Sequence, residues 1–440
     1  MTLTKSGRVS APKAILNQGQ QEAVDGFFQF LFSDEKEMGI SGPGGVGKTF
    51  VMGQMVDEIM PQYLQTCKLM GIEPRYTSVM MTATTNKAAE QLSAFTGRDC
   101  PTIQSFLNLK VSDDFQTGQS KLTKKETWVV HEDMIIFVDE CSMEDRALYA
   151  HIHAGTANCK IVHVGDHCQL APVMETSSPV YQKGIHFYVL NEPMRTKVPA
   201  LHALNQQFRN TVETGIFQPI QLVPGIIDLF DAAQMEAAVD KQFAAQTNEA
   251  KILSYTNKQV AEYNNHIRGI RNLPPEYTVG ELLVNSSAVH VKTEMLNTEK
   301  EVEILSLSKS SDYLEIETGV HLEFRKAILK TPTGRIFKDV PLPVDRDHHN
   351  SLIKHYGRTK NWRAYFTLKN FYPDLRPHDS STVYKAQGST YDIVFVDLTN
   401  ISTCHNPNQV ARMLYVALSR ARFRVILYGE LAPKYGGLTN

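Results

Sequence analysis

No apolar run in the chain approaches the ~18 residues of a membrane span; the longest, near Met134 to Val138, are strand-sized. The N-terminal stretch Met1 to Lys13 is polar and lacks the apolar centre of a signal peptide. None of the six cysteines (Cys67, Cys100, Cys141, Cys159, Cys168, Cys404) forms a C-x-x-C pair, and no Cys/His spacing suggests zinc. Reduced thiols are expected. Excess charge of one sign is also missing: 45 Lys plus Arg against 47 Asp plus Glu leave −2. Nucleic-acid contact, if any, must therefore use local patches, not a global field. Low-complexity tracts and internal repeats are absent. What is present is an ordinary globular composition, 42% apolar, which excludes wholesale disorder. The 440 residues suggest about three domains and need no disulfide or metal staple. A soluble, cytoplasmic protein without membrane contact is expected.

The first 190 residues repeat a rhythm of short apolar run, polar turn and helix. Met38 to Ser41 runs into a glycine loop, Thr77 to Met81 precedes a helix-like stretch, Met134 to Val138 ends in Asp139-Glu140, and Lys160 to Val164 ends in Gly165-Asp166. Unalternating apolar strands separated by helices predict a parallel sheet buried on both faces. Such sheets place ligands at the carboxyl ends of their strands. A small hairpin is expected as an insertion at about 108–126, around the turn Asp113 to Gly118. The strand-helix rhythm returns at Lys251 to Tyr255 and again after Tyr391. Residues 281–375 alternate instead, and predict a small antiparallel barrel with a helical extension. The expected fold class is α/β: a parallel-sheet domain over 1–190, a second over 191–280 and 376–440, and the barrel inserted into the second.

Gly42-Pro-Gly-Gly-Val-Gly47-Lys48-Thr49 fits G-x-x-x-x-G-K-[ST] without deviation. Backbone N–H groups around Gly42, Gly44, Gly45 and Gly47, opening a helix, would surround a β-phosphate. Lys48 would reach the β and γ phosphates and Thr49 would ligate Mg²⁺. Asp139 would also hold Mg²⁺, and Glu140 would orient or deprotonate an attacking water. Many P-loop kinases and GTPases do without an adjacent Glu, so the pair favours an NTP hydrolase. Gln169 follows another strand and can bond a γ-phosphate; the bland alternative is a loop amide. Gln20 has two readings: adenine recognition through its amide, or the third position of a capping box opened by Asn17. No second phosphate loop occurs. The second α/β domain can only complete the first site; Arg195 at the junction of the two domains, and Arg420 and Arg422 at the end of an amphipathic helix, are the candidate guanidinium groups for γ-phosphoryl charge.

These residues, in this order, resemble the superfamily 1 DNA helicases of the RecD/Pif-like branch, their Dda-like phage members in particular. The resemblance covers nearly the whole chain. Leu16 to Gln20 looks like the Q motif, Gly42 to Thr49 motif I, Thr82 to Ala89 motif Ia and Pro101 to Phe106 motif Ib. Asp139 to Met143 looks like motif II, Gly165 to Gln169 motif III, Glu192 to Arg195 motif IV, Ser381 to Gly388 motif V and Leu414 to Arg420 motif VI. Motif I is generic to P-loop proteins; the ordered set is specific.

The resemblance implies two tandem RecA-like P-loop NTPase domains. It implies a DNA-stimulated ATPase that moves 5′→3′ on single-stranded DNA and unwinds duplex, in replication, recombination or repair. It makes Gln20 the adenine reader, Gln169 the link between γ-phosphate and DNA, Arg195 and Arg420 the arginine fingers, and Gly388 a backbone contact near the γ-phosphate. Thr84, Asn86, Thr102, Ser105, Thr382 and Tyr384 become DNA contacts. Gln104 and Tyr384 stand where the family often has His. The hairpin occupies the place of the strand-separating pin, with Phe115 or Leu122 as wedge. Expected ligands are ATP and Mg²⁺. Expected partners are single-stranded DNA and its junctions with duplex, with single-strand-binding or replisome proteins as further candidates, and the chain acting as a monomer. Residues 354–376 interleave basic and aromatic groups. They would stack on bases or form the core of the insertion. The competing readings are a DNA-indifferent P-loop ATPase or kinase, and a non-catalytic module.

Overall fold

The computed structural model describes residues 15–172, 175, 177–192 and 198–439. Two five-stranded parallel sheets form its centre. The first runs in the order Ser78–Ala83, Met134–Asp139, Lys160–Gly165, Glu37–Ser41, Phe187–Val189. Its central strand is buried at every position, which explains the unalternating apolar runs. Along Met134–Asp139, Phe137 enters the core under the phosphate-loop helix while Ile136 and Val138 enter the core on the opposite face. The second sheet runs Ile227–Phe230, Ala421–Tyr428, Tyr391–Asp397, Ala250–Ser254, Ser380–Thr382. It repeats the device, with Val394 and Val396 on one face and Phe395 on the other. Parallel register sets Ala83 beside Asp139, and Ser41 beside both Gly165 and Val189. The carboxyl ends of the strands therefore gather the loops that carry the polar residues.

The inserted unit is antiparallel. Val320–Lys330, eleven residues long, pairs Asp312–Glu317 and then Glu301–Leu307 along one side and Ile336–Pro343 along the other. Leu282–Asn285 and Leu375–Pro377 extend the sheet. The end strands do not pair with each other among the described residues. Hydrogen bonds thus leave the expected barrel open, and the hairpin of Val289–Val291 with Glu294–Leu296 covers its core instead. Helices Arg346–Thr359 and Trp362–Phe371 follow, started by Asp345 and Asn361 as N-caps. No helix among the described residues is long and apolar enough to cross a membrane.

Candidate functional site

Strand Glu37–Ser41 opens into the glycine loop, and helix Lys48–Gln54 begins behind Gly47. Gly47 adopts φ +86°, and a Cβ there would meet the Gln20 amide nitrogen at 2.7 Å, so only glycine fits. Lys48 Nζ donates to the carbonyls of Gly42 (2.7 Å) and Pro43 (3.1 Å). Reaching a phosphate means turning from them. Thr49 is half-buried at the first turn. Gln20 forms the capping box with Asn17, and its Nε2 also donates to the Val46 carbonyl at 3.0 Å. Its Oε1 accepts from the Asn17 N–H, and the residue is buried. Both ends of the amide are engaged inside the protein. The structure thus favours support of the phosphate loop over adenine recognition.

Asp139 ends its strand, and Glu140 follows in the left-handed region with φ 55°. That turn sends the two carboxyl groups onto one site. Burial first, then the charge of Glu140, raises Asp139, against the opposing pull of Lys48. One oxygen of Glu140 is buried without a hydrogen-bond partner. Two crowded carboxyl groups facing one lysine suit a divalent cation, with the Thr49 hydroxyl as the further oxygen ligand. Beneath them, His163 is held between Glu144 (2.9 Å) and Glu37 (2.9 Å). Burial pushes its imidazole down, but Glu144 and Glu37 outweigh burial and raise it to about 9. The histidine is therefore an imidazolium at neutral pH, pinning the acidic turn to the strand that feeds the phosphate loop.

The second sheet supplies the other wall. Gln387 donates to the Ser142 hydroxyl (3.2 Å), Lys87 to the Ser389 hydroxyl (2.6 Å) and Gln91 to the Gly388 carbonyl (3.2 Å). Gly388 has φ +74°, and a Cβ there would lie 3.9 Å from a Glu140 carboxylate oxygen. Arg420 is buried and donates to the Val416 and Ser389 carbonyls and the Ser419 hydroxyl. Burial lowers its pKa, while the nearby Glu140 opposes that effect. Gln169 is buried with its Oε1 unpartnered. Arg195 lies outside the described residues. Lys48, Asp139, Glu140, Gly388 and Arg420 are thus gathered at one cleft. The bridging residues Lys87, Gln91 and Gln387 escaped sequence reasoning, although Lys87 and Gln91 stand at i and i+4 on helix Asn86–Thr96, a spacing that puts both on one face.

The candidate DNA contacts separate. Asn86 and Ser105 are accessible at helix starts. Thr102 caps the helix that begins at Ile103. Thr84 is buried, and its hydroxyl donates to the Glu140 carbonyl at 2.9 Å. Its contact is with the acidic turn and not with an open surface, because the parallel register draws Ala83 beside Asp139. Thr382 is buried too. The Tyr384 hydroxyl accepts from Gln409. Thr382 lines a cleft shared with Lys87, Lys385 and the inserted unit's Ser286 and Glu299.

Strands Leu109–Asp113 and Ser120–Lys124 form a hairpin. Leu122 packs toward the first domain's core, while Phe115 is 57% exposed at the turn. Phe115 meets Phe366 edge-on at 5.2 Å, and Asn370 donates to Asp113 at 2.8 Å. Half of the aromatics of the basic stretch are core: Tyr356, Phe366 and Tyr372 are buried, and Tyr356 and Tyr372 pack with Leu322 and Phe324. That burial rules out base stacking by these three rings, while Trp362, Tyr365 and Phe371 are half-buried.

Residues 15–218 match the AAA domain family, and residues 379–428 match the UvrD-like helicase C-terminal domain. The chain is 21% identical to the ATP-dependent DNA helicase dda of Enterobacteria phage T4, covering 93% of this chain and 98% of that protein. It is 23% identical to an uncharacterised protein of Acanthamoeba polyphaga mimivirus, over 93% and 99% of the two chains. Its fold is similar to that of Pif1 helicase from Bacteroides, solved with ADP-AlF3 and ssDNA, at TM-score 0.51, 13% identity and coverage of 97% and 95%.

Proposed function

We propose that this chain, a Dda- and Pif1-like helicase of superfamily 1, couples ATP hydrolysis in its interdomain cleft to 5′→3′ movement on single-stranded DNA. The observation that carries this is the split site. Lys48, Asp139 and Glu140 stand on one α/β unit, Gly388 and Arg420 on the other, and side-chain bonds of Lys87, Gln91 and Gln387 already cross between them. A site built from two halves can respond to its nucleotide only by moving them.

Lys48 leaves the loop carbonyls and binds the β and γ phosphates. Gln20 keeps the loop in shape from below. A Mg²⁺ held by Thr49 and Asp139 would neutralise charge on the phosphates. Glu140 accepts the proton of the attacking water, and its unpartnered oxygen is free to do so. Gln169, Arg420 and Arg195 stabilise charge on the transferred group; such guanidinium contacts are worth on the order of 10³–10⁵ in rate in other NTPases. The reaction draws the units together, and release lets them part. Asn86, Ser105 and Tyr384 grip the strand on either side of the cleft, so each cycle shifts it. Phe115, on a hairpin braced from behind, divides the duplex. A monomer suffices, since both halves of the site lie on one chain. Polarity and roles in replication, recombination or repair rest on resemblance.

The test is ATP turnover with and without a long single-stranded DNA. Strong stimulation that weakens as salt rises supports the coupled engine. Turnover indifferent to DNA leaves a P-loop ATPase and removes the helicase reading. Lys48→Ala should abolish turnover and unwinding while DNA binding persists.

A further inference from the structure

Helix Pro407–Leu418 touches both sides of the proposed engine. Gln409, near its start, donates to the hydroxyl of Tyr384, and its Oε1 faces the Cys404 thiol at 3.3 Å. Three residues on, Arg412 Nη1 reaches across the cleft and donates to the carbonyls of His167 (2.5 Å) and Gln169 (2.6 Å). Three residues further, the Tyr415 hydroxyl donates to Asp166 at 2.6 Å. Asp166 is fully buried and also pairs with Arg209 at 2.8 Å. Positions 409, 412 and 415 form an i±3 ridge along the helix. The ridge joins the segment that carries Tyr384 to the loop that carries Gln169.

The helix is a stiff connector. Eight of its twelve residues, Val410, Ala411 and Met413 through Leu418, are buried in the second unit's largest core. A close-packed interior resists bending and shifts as a body. The grip on the Gln169 loop is by backbone: Arg412 holds two carbonyls and leaves the Gln169 side chain unengaged, its Oε1 buried and unpartnered. The loop is thus tethered to the second unit while its amide stays available to a γ-phosphate. On the Asp166 side, the buried ion pair and tyrosine fix the pivot, since separating such groups leaves uncompensated charge.

We propose that Gln409 and Arg412 are positioning residues that make helix Pro407–Leu418 the link through which bound nucleotide and bound single-stranded DNA alter each other's affinity. The proposal rests on the helicase reading. Neither side chain touches a reacting atom; each fixes an element that does. A contiguous network is not itself coupling, so the measurement must be of coupling.

The quantity is the ratio α of the Kd for a fluorescent non-hydrolysable ATP analogue, with Mg²⁺, in the absence and presence of saturating oligo(dT). By linkage, the same α must appear in the oligo(dT) affinity with and without the analogue. Couplings of this kind are typically about 5- to 150-fold. Arg412→Met and Gln409→Leu should each bring α at least about threefold nearer to one, on a scale where wild type is several-fold away from it. Arg412→Lys, which keeps one charged donor, should fall between. A merely structural role would shift thermal stability, or either affinity alone, and leave α at the wild-type value. That result in folded Arg412→Met and Gln409→Leu overturns the proposal; should Arg412→Met fail to fold, Arg412→Lys and Gln409→Leu decide it by the same comparison. A wild-type chain with α of one has no such coupling and also overturns the proposal, whereas one that binds no oligo(dT) overturns the helicase reading instead.

Discussion

Gln20 sits where a helix start meets the phosphate loop, and its two amide ends are bonded to Asn17 and Val46. Gln20→Ala removes both bonds and leaves the buried Val46 carbonyl unpaired, at a cost of about 1–3 kcal/mol. The expected outcome is a KM for ATP and for GTP raised by a common factor, because the loop loosens for either base. A collapse of the preference between ATP and GTP would restore the adenine-reading role. His163 is the second residue whose environment dictates behaviour. Its folded pKa, about 9, stands above its ordinary 6.5. Its contribution is therefore fully present below pH 6.5 and fades as pH rises through about 9. Glu37 is held below its ordinary range, with the hydrogen bonds and charges of His153 and His163 overcoming burial. Its contribution is present above about 4.5 and lost as pH falls. At about 1.36 kcal/mol per unit, the histidine is worth on the order of 3 kcal/mol at pH 6. Denaturant melts should show His163→Gln less stable than wild type by that order at pH 6, with the gap shrinking by pH 9.5. A gap of constant size would mean that the imidazole is neutral and merely packed.

At the scale of elements, the hairpin and the helical extension brace each other. Gly118 has φ +73°, and a Cβ there would press to 2.5 Å from the Trp362 ring. Gly118→Ala must push the hairpin off helix Trp362–Phe371, and Phe115→Ala removes an aromatic pair worth about 0.5–1.5 kcal/mol. Both changes should reduce strand separation several-fold while single-stranded-DNA-stimulated ATP turnover stays near wild type, since neither residue reaches the cleft. Equal losses in unwinding and turnover would count against a separate wedge. The same elements show what a sequence carries. The parallel sheets were legible because a strand buried on both faces must be apolar at consecutive positions. The phosphate loop was legible because its geometry demands glycine. The aromatic stretch was ambiguous, as rings at helical spacing serve a core or a nucleic acid equally; packing against Leu322 and Phe324 decides it for Tyr356 and Tyr372. The pairing of Asp166 with Arg209 was illegible, for nothing local in either segment names a partner 43 residues away.

On the scale of the whole molecule, nucleotide should stabilise two units through a site that neither completes alone. A ligand at 100 times its Kd stabilises the state that binds it by about 2.7 kcal/mol. If only the phosphate-loop unit bound ATP, that increment would appear as slower amide exchange there, for example along Met134–Asp139, and the second unit would be indifferent. If Gly388 and Arg420 close on the nucleotide, the increment must also appear in strand Tyr391–Asp397 and helix Pro407–Leu418, which carry no phosphate-loop residue. Glu140→Gln allows the measurement, because it should retain binding and removes the carboxylate proposed to accept the water's proton. With ATP and Mg²⁺, this variant should show protection in both units at once, with exchange slowed up to roughly 100-fold, the factor that 2.7 kcal/mol represents. Lys48→Ala should show protection in neither. Protection confined to the first unit would mean that the cleft binds nucleotide without closing, and a chain that cannot close on ATP has no stroke with which to move DNA.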